Sequence, residues 1–436
     1  MTSPEDLRLN DESYINLLRK LISVADKVQN APSLGLIPQE DLVSDFVLEE
    51  LKPYLKQNGG PIEAQRIGFK DGRGHLILKY PGTTKADETI NIVGSHMDVV
   101  PANPEGWERD PFELSVEGDK LYGRGTTDCL GHVALVAQLF AELAKNKVQT
   151  QKTVTAVLIA SEENVEIAGV GVEALMETGK IDFLKNGPVL WVDCSDSQPC
   201  IGTAGMLMWS IKATGKLFHS GLPHLGMNAL ELAMDAVKVV QERFYKDFPN
   251  HEKEAPYKYA CGSTLKPTRV EASTNGINQI PPWCTISGDV RLSPFYEMQD
   301  LRAKLKEYVD DLNANVTSLE SRGPHSKYTL PKENLTSKLE LTLGENALEG
   351  IACSLESIGF KSFDESTKHI KGVSEPFSIM GSLPLVRDLQ RAGLDLTLAG
   401  FGKSSVYHGD NEYCLLSDIQ DGLRILGRFI HNVDTA

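Results

Sequence analysis

The stretch 89–98, TINIVGSHMD, runs from β-branched residues (Ile90, Ile92, Val93) through Gly94 into His96-Met97-Asp98. An apolar run that ends in ionisable groups reads as a buried strand with chemistry at its C-terminal end, where ligands bind in open α/β sheets. If strand geometry continues through the triplet, His96 and Asp98 share a face, because side chains repeat every two residues. A neutral imidazole can then offer one nitrogen to a metal while the carboxylate holds the other N–H. Alone, the triplet slightly favours a plainer reading, a histidine satisfied by a neighbouring acid.

The pattern recurs, and that shifts the balance. The apolar run 153–160 ends in Ser161-Glu162-Glu163, and the run 189–192 ends in Asp193. A fourth run, 394–401, is followed after a short loop by His408 and Asp410. Between the first two lies Gly123-Arg124-Gly125 with Asp128, at the entry to an apolar helix over 133–144. A solvated face does not place acids and histidines directly after successive buried runs, so these groups are expected to converge on one sheet edge.

The elements that must position them follow from periodicity. Helical spacing marks 11–28 and 41–55, strands are expected at 62–67 and 75–80, and helices at 131–147 and 170–178 alternate with the strands already named. Such alternation predicts an α/β fold, a mostly parallel sheet covered by helices on both faces. After Gly205 the texture changes. Residues 206–214 alternate as a half-buried strand, 228–244 form an apolar-periodic helix, strands follow at 262–272 and 283–292, then a helix at 298–312 and a strand at 338–344. That order is the split α+β two-layer sandwich, an inserted lid or dimerisation domain with a half-exposed sheet. The expected organisation is a catalytic domain in two parts, 1–205 and 356–436, around an insert at 206–355.

Composition sets bounds. The chain has 436 residues, 41% hydrophobic and 24% charged, ordinary for a globular protein with two full cores. A net charge of -16 and the lack of a basic stripe argue against nucleic acid as a partner. No run nears the roughly 20 apolar residues of a membrane span. The acidic, polar start lacks the pattern of an export signal, and seven scattered cysteines make no disulfide framework, so a reduced cytoplasmic setting is expected. Cys129 and Cys194, beside the acids, read as small buried fillers.

Together, Ser95-His96-Met97-Asp98, Gly123-Arg124-Gly125 with Asp128, Ser161-Glu162-Glu163, Asp193, His219-Ser220-Gly221 and His408 resemble the motifs of the dinuclear-zinc amidohydrolase and exopeptidase family, from about residue 10 to about 430. That family includes acetylornithine deacetylases, succinyl-diaminopimelate desuccinylases, aminoacylases and carnosinases. The text at 219–233, 276–296 and 381–390 looks most like the eukaryotic acetylornithine deacetylase branch. The resemblance implies one divalent metal on His96, Asp193 and Asp128 and a second on Glu163, His408 and Asp128, with Asp128 bridging. Zinc suits that nitrogen and oxygen set, as do cobalt and manganese. It implies further that Glu162 is the proton-transferring base, that Asp98 orients His96, and that His219 reaches across a homodimer to the tetrahedral oxyanion.

Asn275 or Asn278, Arg291, and the Gly381-Ser382 turn resemble positions that hold the substrate, although Arg291 equally suits an interdomain salt bridge. Two departures stand out. Asp128 is followed by Cys129-Leu130-Gly131 where the family usually has Lys-Gly, and position 193 is Asp where bacterial deacetylases have Glu. The implied activity is hydrolysis of a small N-acyl amino acid, N2-acetyl-L-ornithine to acetate and L-ornithine. A carnosinase-type dipeptidase and a catalytically silent metal-binding relative are the alternatives. Two other motifs fail. Phe401-Gly402-Lys403-Ser404 resembles a phosphate loop, but Thr397 stands where its first glycine belongs. His219-Ser220 comes without a G-x-S-x-G elbow.

Overall fold

The computed structural model describes every residue except Met1, Cys194, Ser195, Thr274, Asn275, Glu320, Ser321, Arg322, Pro324, Ser326, Lys327 and Leu385. The chain divides into two compact units, one of Met1–Ile201, Cys353–Phe377 and Leu385–Ala436, the other of Gly202–Ala352 and Ser378–Pro384.

The sheet of the first unit is laid out around the strand Lys85–His96. On one side lie Lys152–Ile159, Gly74–Tyr80 and Glu63–Gly68, and on the other Val189–Asp193 and Leu396–Gly400. Lys152–Ile159, Lys85–His96, Val189–Asp193 and Leu396–Gly400 run parallel. Gly74–Tyr80 and Glu63–Gly68 close one edge antiparallel. From the central strand the chain passes through the helix Leu130–Lys145 to one neighbour, then crosses back to the other neighbour. A crevice opens outside the carboxyl ends where the winding reverses in this way.

Alternation explains why both faces are covered. Leu76, Leu78, Ile90, Ile92, Val154, Ala156, Leu190 and Val192 join one apolar cluster with the helix Leu130–Lys145. Their neighbours Ile77, Val93, Val157 and Trp191 are buried as well, outside that cluster. Strands buried on both faces need the near-continuous apolar runs seen here. The helix Leu130–Lys145 packs against Asp11–Ile22, Asp41–Leu51 and Leu416–Thr435, and removing a side chain as large as its buried Phe140 costs about 3–5 kcal/mol. Helix 41–55 is shorter than its periodicity suggests: it ends at Leu51 and tightens into the 3-10 turn Lys52–Tyr54, where Pro53 has no N–H to continue the helical ladder. Helix 11–28 likewise ends at Ile22, with a separate 3-10 turn at Ala25–Lys27.

One glycine matters to the site. Gly94 has φ +99, and a Cβ there would lie 2.7 Å from the Trp191 indole. Val93 pairs with Val157 but His96 with Ile159, so the central strand carries an extra residue at this point. Such a bulge re-aims the side chains that follow it.

The second unit has a four-stranded antiparallel sheet in the order Thr264–Ala272, Trp283–Leu292, Gly205–Thr214, Lys338–Leu343. The helices Ala229–Asp247 and Met298–Ala314 pack on it, around Leu207, Trp209, Ile211, Leu232, Leu301 and Leu305. Asn228 starts the first helix, its side chain accepting from the N–H groups of Leu230 and Glu231. Met208 and Lys212, the alternates of the buried set, are exposed.

Candidate metal centre

At the carboxyl ends of the parallel strands the chain gathers its acids and imidazoles. His96 ends the central strand, Asp193 ends its neighbour, and Glu162 and Glu163 follow Lys152–Ile159. Asp128 stands two residues before the first residue of the helix Leu130–Lys145, with Cys129 between, and His408 lies in the loop after Leu396–Gly400. His96 Nε2 is 2.8 Å from Asp128 Oδ1 and 3.8 Å from both Asp193 Oδ1 and Glu162 Oε2. His408 Nε2 is 3.1 Å from Asp128 Oδ2 and 3.1 Å from Glu163 Oε2. Asp128 thus offers one oxygen to each group. Donor atoms of His96, Asp128, Cys129 and Asp193 lie within 4.8 Å of one another, as do those of Asp128, Glu163 and His408. The Cys129 thiol is buried, as a filler would be, yet it stands among donors, 3.6 Å from His132 Nδ1.

His96 Nδ1 lies 2.9 Å from the Asp98 carbonyl oxygen, an acceptor, so Nδ1 carries a ring proton and Nε2 is the nitrogen turned toward the acids. The Asp98 carboxylate stands farther from that ring, at 3.5 Å. Its closer contacts are elsewhere: it accepts from the Glu162 N–H at 3.1 Å, the Glu163 N–H at 3.0 Å and Asn30 Nδ2 at 2.7 Å. Asp98 therefore orients His96 mainly through its backbone, while its side chain holds the turn that bears the acid pair.

Asp128 is held from behind by Glu412. That carboxylate is buried, pairs with Arg124 at 2.6 Å, and accepts from the N–H groups of Gly125, Thr127 and Asp128 at 3.2, 2.8 and 2.9 Å. Nearby, His132 Nε2 accepts from the Phe401 N–H at 2.8 Å, which ties the helix Leu130–Lys145 to the loop leading to His408. Burial lowers His132 to about 4 and keeps it neutral. Two non-glycine residues in these loops, Ser161 and His408, have left-handed backbone at φ 59 and 60. L-residues rarely adopt that conformation, and it persists where the surroundings over-determine it.

Glu412, Asn30, Glu40, Arg73, His75 and His132 all support the site, and the sequence reading did not single them out. Gly123-Arg124-Gly125 was the available signal for Glu412, since a buried arginine requires a carboxylate. The others have no local signature.

Burial and mutual proximity govern the charges of the cluster. Burial pushes Glu162 well above the usual carboxylate range, with Asp193, Glu163 and Asp128 adding to the rise against His96. Burial and the Asp128 charge push Glu163 up to about 7, even with His408 beside it. Burial also acts against charge on Asp128, but His408 and His96 hold it below the usual range. Contacts with Asp128 and Glu163 raise His408 to about 10. Glu163 Oε1 is buried and accepts no hydrogen bond. Acids this crowded and dry resist ionisation unless a strong positive charge joins them. Imidazole nitrogens and carboxylate oxygens grouped in two sets, with one shared acid, fit two divalent cations.

The remaining candidates lie in the second unit. His219 is exposed, and its Nδ1 accepts from the Gly221 N–H at 2.9 Å, which leaves the ring proton on Nε2. Asn278 is its neighbour: Phe218–His219 pairs with Gln279–Ile280, and the Ser220 N–H donates to the Asn278 carbonyl at 2.9 Å. Arg291 is ion-paired with Asp289 on its own strand at 2.8 Å. The Gly381 carbonyl accepts from the Ala204 N–H at 2.8 Å, and Ser382 is half-buried. Asn275 lies outside the described residues.

A parallel-rich α/β unit with two imidazole–carboxylate groups at its strand ends, and a separate two-layer unit, define a metallohydrolase. Residues 92–432 match the model of Peptidase family M20/M25/M40, and the chain belongs to that family. It is 51% identical over 427 residues to an acetylornithine deacetylase of Arabidopsis thaliana, covering 98% of this chain and 96% of the relative. It is 47% identical over 442 residues to an acetylornithine deacetylase of Dictyostelium discoideum, covering 99% of each. Among solved structures, human carnosine dipeptidase 1 aligns with a TM-score of 0.66 at 16% identity, over 98% of this chain and 97% of that one. An M20 metallo-carboxypeptidase from Sulfolobus solfataricus aligns at 0.68 and 18%, over 98% and 100%. At such identities the solved structures bear on fold alone. No helix among the described residues is long and apolar enough to cross a membrane.

Proposed function

We propose that this chain hydrolyses the amide of N2-acetyl-L-ornithine, releasing acetate and L-ornithine, with two divalent cations, zinc foremost and cobalt or manganese as substitutes. The observation that carries the chemistry is Asp128, whose Oδ1 faces His96 and whose Oδ2 faces His408 and Glu163. The choice of substrate is supported by full-length similarity at 51% and 47% identity to two acetylornithine deacetylases.

In this reading His96, Asp193 and Asp128 hold one cation, and Glu163, His408 and Asp128 hold the other. Held by these residues, two divalent cations would supply polarisation of the scissile carbonyl and a lowered pKa for the attacking water. Glu162 takes the proton from that water and delivers it to the leaving amine, a task suited to a carboxyl whose proton affinity burial has raised. His96 keeps its Nδ1 proton on the Asp98 carbonyl and so presents Nε2 to the metal. His219, as an exposed N–H donor, serves the tetrahedral oxyanion from the partner of a cytoplasmic homodimer. Asn278 or Asn275, Arg291, Gly381 and Ser382 contact the rest of the substrate.

Kinetics on N2-acetyl-L-ornithine, N-succinyl-diaminopimelate and carnosine, with zinc and with cobalt, test the assignment. Acetylornithine is expected to lead in kcat/KM by at least about tenfold, a transition-state difference of about 1.4 kcal/mol. A dipeptide preferred over every acetylated amino acid would overturn it in favour of a dipeptidase. For the dimer, mixing inactive His219→Ala with inactive Glu162→Gln subunits should restore activity, since one mixed site regains both groups.

A further inference from the structure

Glu162 and Glu163 are adjacent in sequence but face different partners. Glu162 Oε2 is 3.8 Å from His96 Nε2, while Glu163 Oε2 is 3.1 Å from His408 Nε2. They stand in a loop beyond the end of Lys152–Ile159, where the sheet ladder no longer fixes the backbone. Acids placed side by side in a dry site repel, so something else must set their directions.

The backbone amides show what does. Four consecutive N–H groups end on buried side chains from elsewhere in the first unit. Ala160 donates to His75 Nδ1 at 3.1 Å, Ser161 to Glu40 Oε1 at 3.2 Å, Glu162 to Asp98 Oδ1 at 3.1 Å and Glu163 to Asp98 Oδ2 at 3.0 Å. The Ser161 link falls at the residue with left-handed backbone, φ 59, where the chain turns and the two acids diverge. Glu40 is in turn gripped by Arg73, Nε to Oε2 at 2.9 Å and Nη2 to Oε1 at 2.6 Å, both side chains being buried.

Stability alone does not account for this ion pair. A buried pair roughly breaks even against well-packed apolar residues of similar size. Here it also leaves Arg73 Nη1 buried without a partner. What the pair supplies that apolar residues cannot is a fixed acceptor oxygen at the Ser161 amide.

We propose that Glu40 and Arg73 are positioning residues for the acid pair: the arginine locks the carboxylate, the carboxylate locks the Ser161 amide, and the turn then sends Glu162 and Glu163 to different partners. The inference rests on the reading of Glu162 as base and Glu163 as metal ligand.

Two double variants isolate the acceptor. Glu40→Met/Arg73→Met removes the pair and the acceptor, whereas Glu40→Gln/Arg73→Met removes both charges but keeps an acceptor oxygen. Turnover of N2-acetyl-L-ornithine, cobalt(II) binding followed by its visible absorption, and thermal unfolding are read on both. The Met/Met variant should lose at least about tenfold in kcat, with KM changed by less than about twofold, and bind its weaker cobalt equivalent at least about tenfold less tightly. The Gln/Met variant should recover to within about threefold of wild type on both readouts. A purely structural pair would lower the unfolding temperature of both variants and leave kcat and cobalt binding alone. That result would overturn the proposal. Should the variants not fold, hydrogen exchange on the wild-type protein decides: the Ser161 and Glu162 amides should be protected like the sheet, and rapid exchange there would overturn it. Wild type and Glu162→Gln, run in parallel, keep the two ideas apart. Full activity in Glu162→Gln would sink the reading of the base, whatever the double variants do.

Discussion

The first unit buries two kinds of carboxylate. Glu40 and Glu412 each face an arginine, Arg73 and Arg124; Glu40 also accepts from the Ser161 N–H, and Glu412 from those of Gly125, Thr127 and Asp128. Asp128, Glu162 and Glu163 are gathered as closely, but they face imidazoles and one another. Burial raises the pKa of Glu40 and Glu412 even with arginine present. In the second group neighbouring acids add to burial on Glu162 and Glu163, while His408 and His96 hold Asp128 below the usual range. Under the proposed function the difference separates structure from chemistry: a scaffold acid is paired with an arginine of the chain, and the acids assigned to catalysis would share divalent cations.

The largest consequence falls on turnover. Glu162→Gln should lower kcat by about three orders of magnitude, the middle of the range for loss of a general base, while the protein still binds two metal equivalents. Asp128→Ala should instead impair both sites, because its two oxygens face the two groups. Metal content per chain, measured beside kcat, checks both. Equal metal loss in Glu162→Gln would mean that Glu162 and Glu163 have exchanged roles, and full occupancy in Asp128→Ala would remove the bridge.

On the scaffold side, Glu412→Gln should cost about 3–5 kcal/mol of folding stability, because Arg124 would remain buried without its counter-charge. Urea unfolding of the metal-free protein measures it. A cost below about 1 kcal/mol would place Glu412 with the solvated acids and erase the distinction between the two groups.

How far the sequence leads differs between the same two groups. The chemical group was legible because His96, Glu162, Glu163 and Asp193 directly follow apolar runs, and a buried strand announces its own end. The parallel sheet was legible for the same reason, as was the strand–helix–strand–strand–helix–strand order of the second unit, where Gly205–Thr214 alternates cleanly. The scaffold group was legible only in Arg124, which calls for an acid without saying which one. Glu40 and Arg73 are 33 residues apart, and Arg124 and Glu412 are 288 apart, so only the folded chain brings each pair together. Asp98 falls between the two cases. Its place beside His96 was expected from strand alternation, but the strand ends at His96, and the Asp98 carboxylate is turned toward the amides of Glu162 and Glu163. Asn278, Arg291, Gly381 and Ser382 rested on resemblance, since no periodicity marks them.

The finest test of the comparison is the sign of a single substitution. With metal chelated, Glu163 titrates near 7 in the fold against 4.5 for the ordinary carboxylate, because burial and Asp128 oppose its charge. Between these values the unfolded chain has lost a proton that the fold retains, so this group makes stability fall as pH rises. The penalty is absent below about pH 4.5 and complete above about pH 7, where it amounts to about 3 kcal/mol at most. Glu163→Gln cannot ionise. In the presence of a chelator it should therefore unfold at a higher urea concentration than wild type at pH 8, with the advantage shrinking toward pH 5. Saturating zinc should reverse the order, since the variant loses a ligand and with it the stabilisation that binding gives the folded state. A variant less stable than wild type at pH 8 in chelator would show that Glu163 is a scaffold acid like Glu412, already compensated by the chain and not in need of a metal.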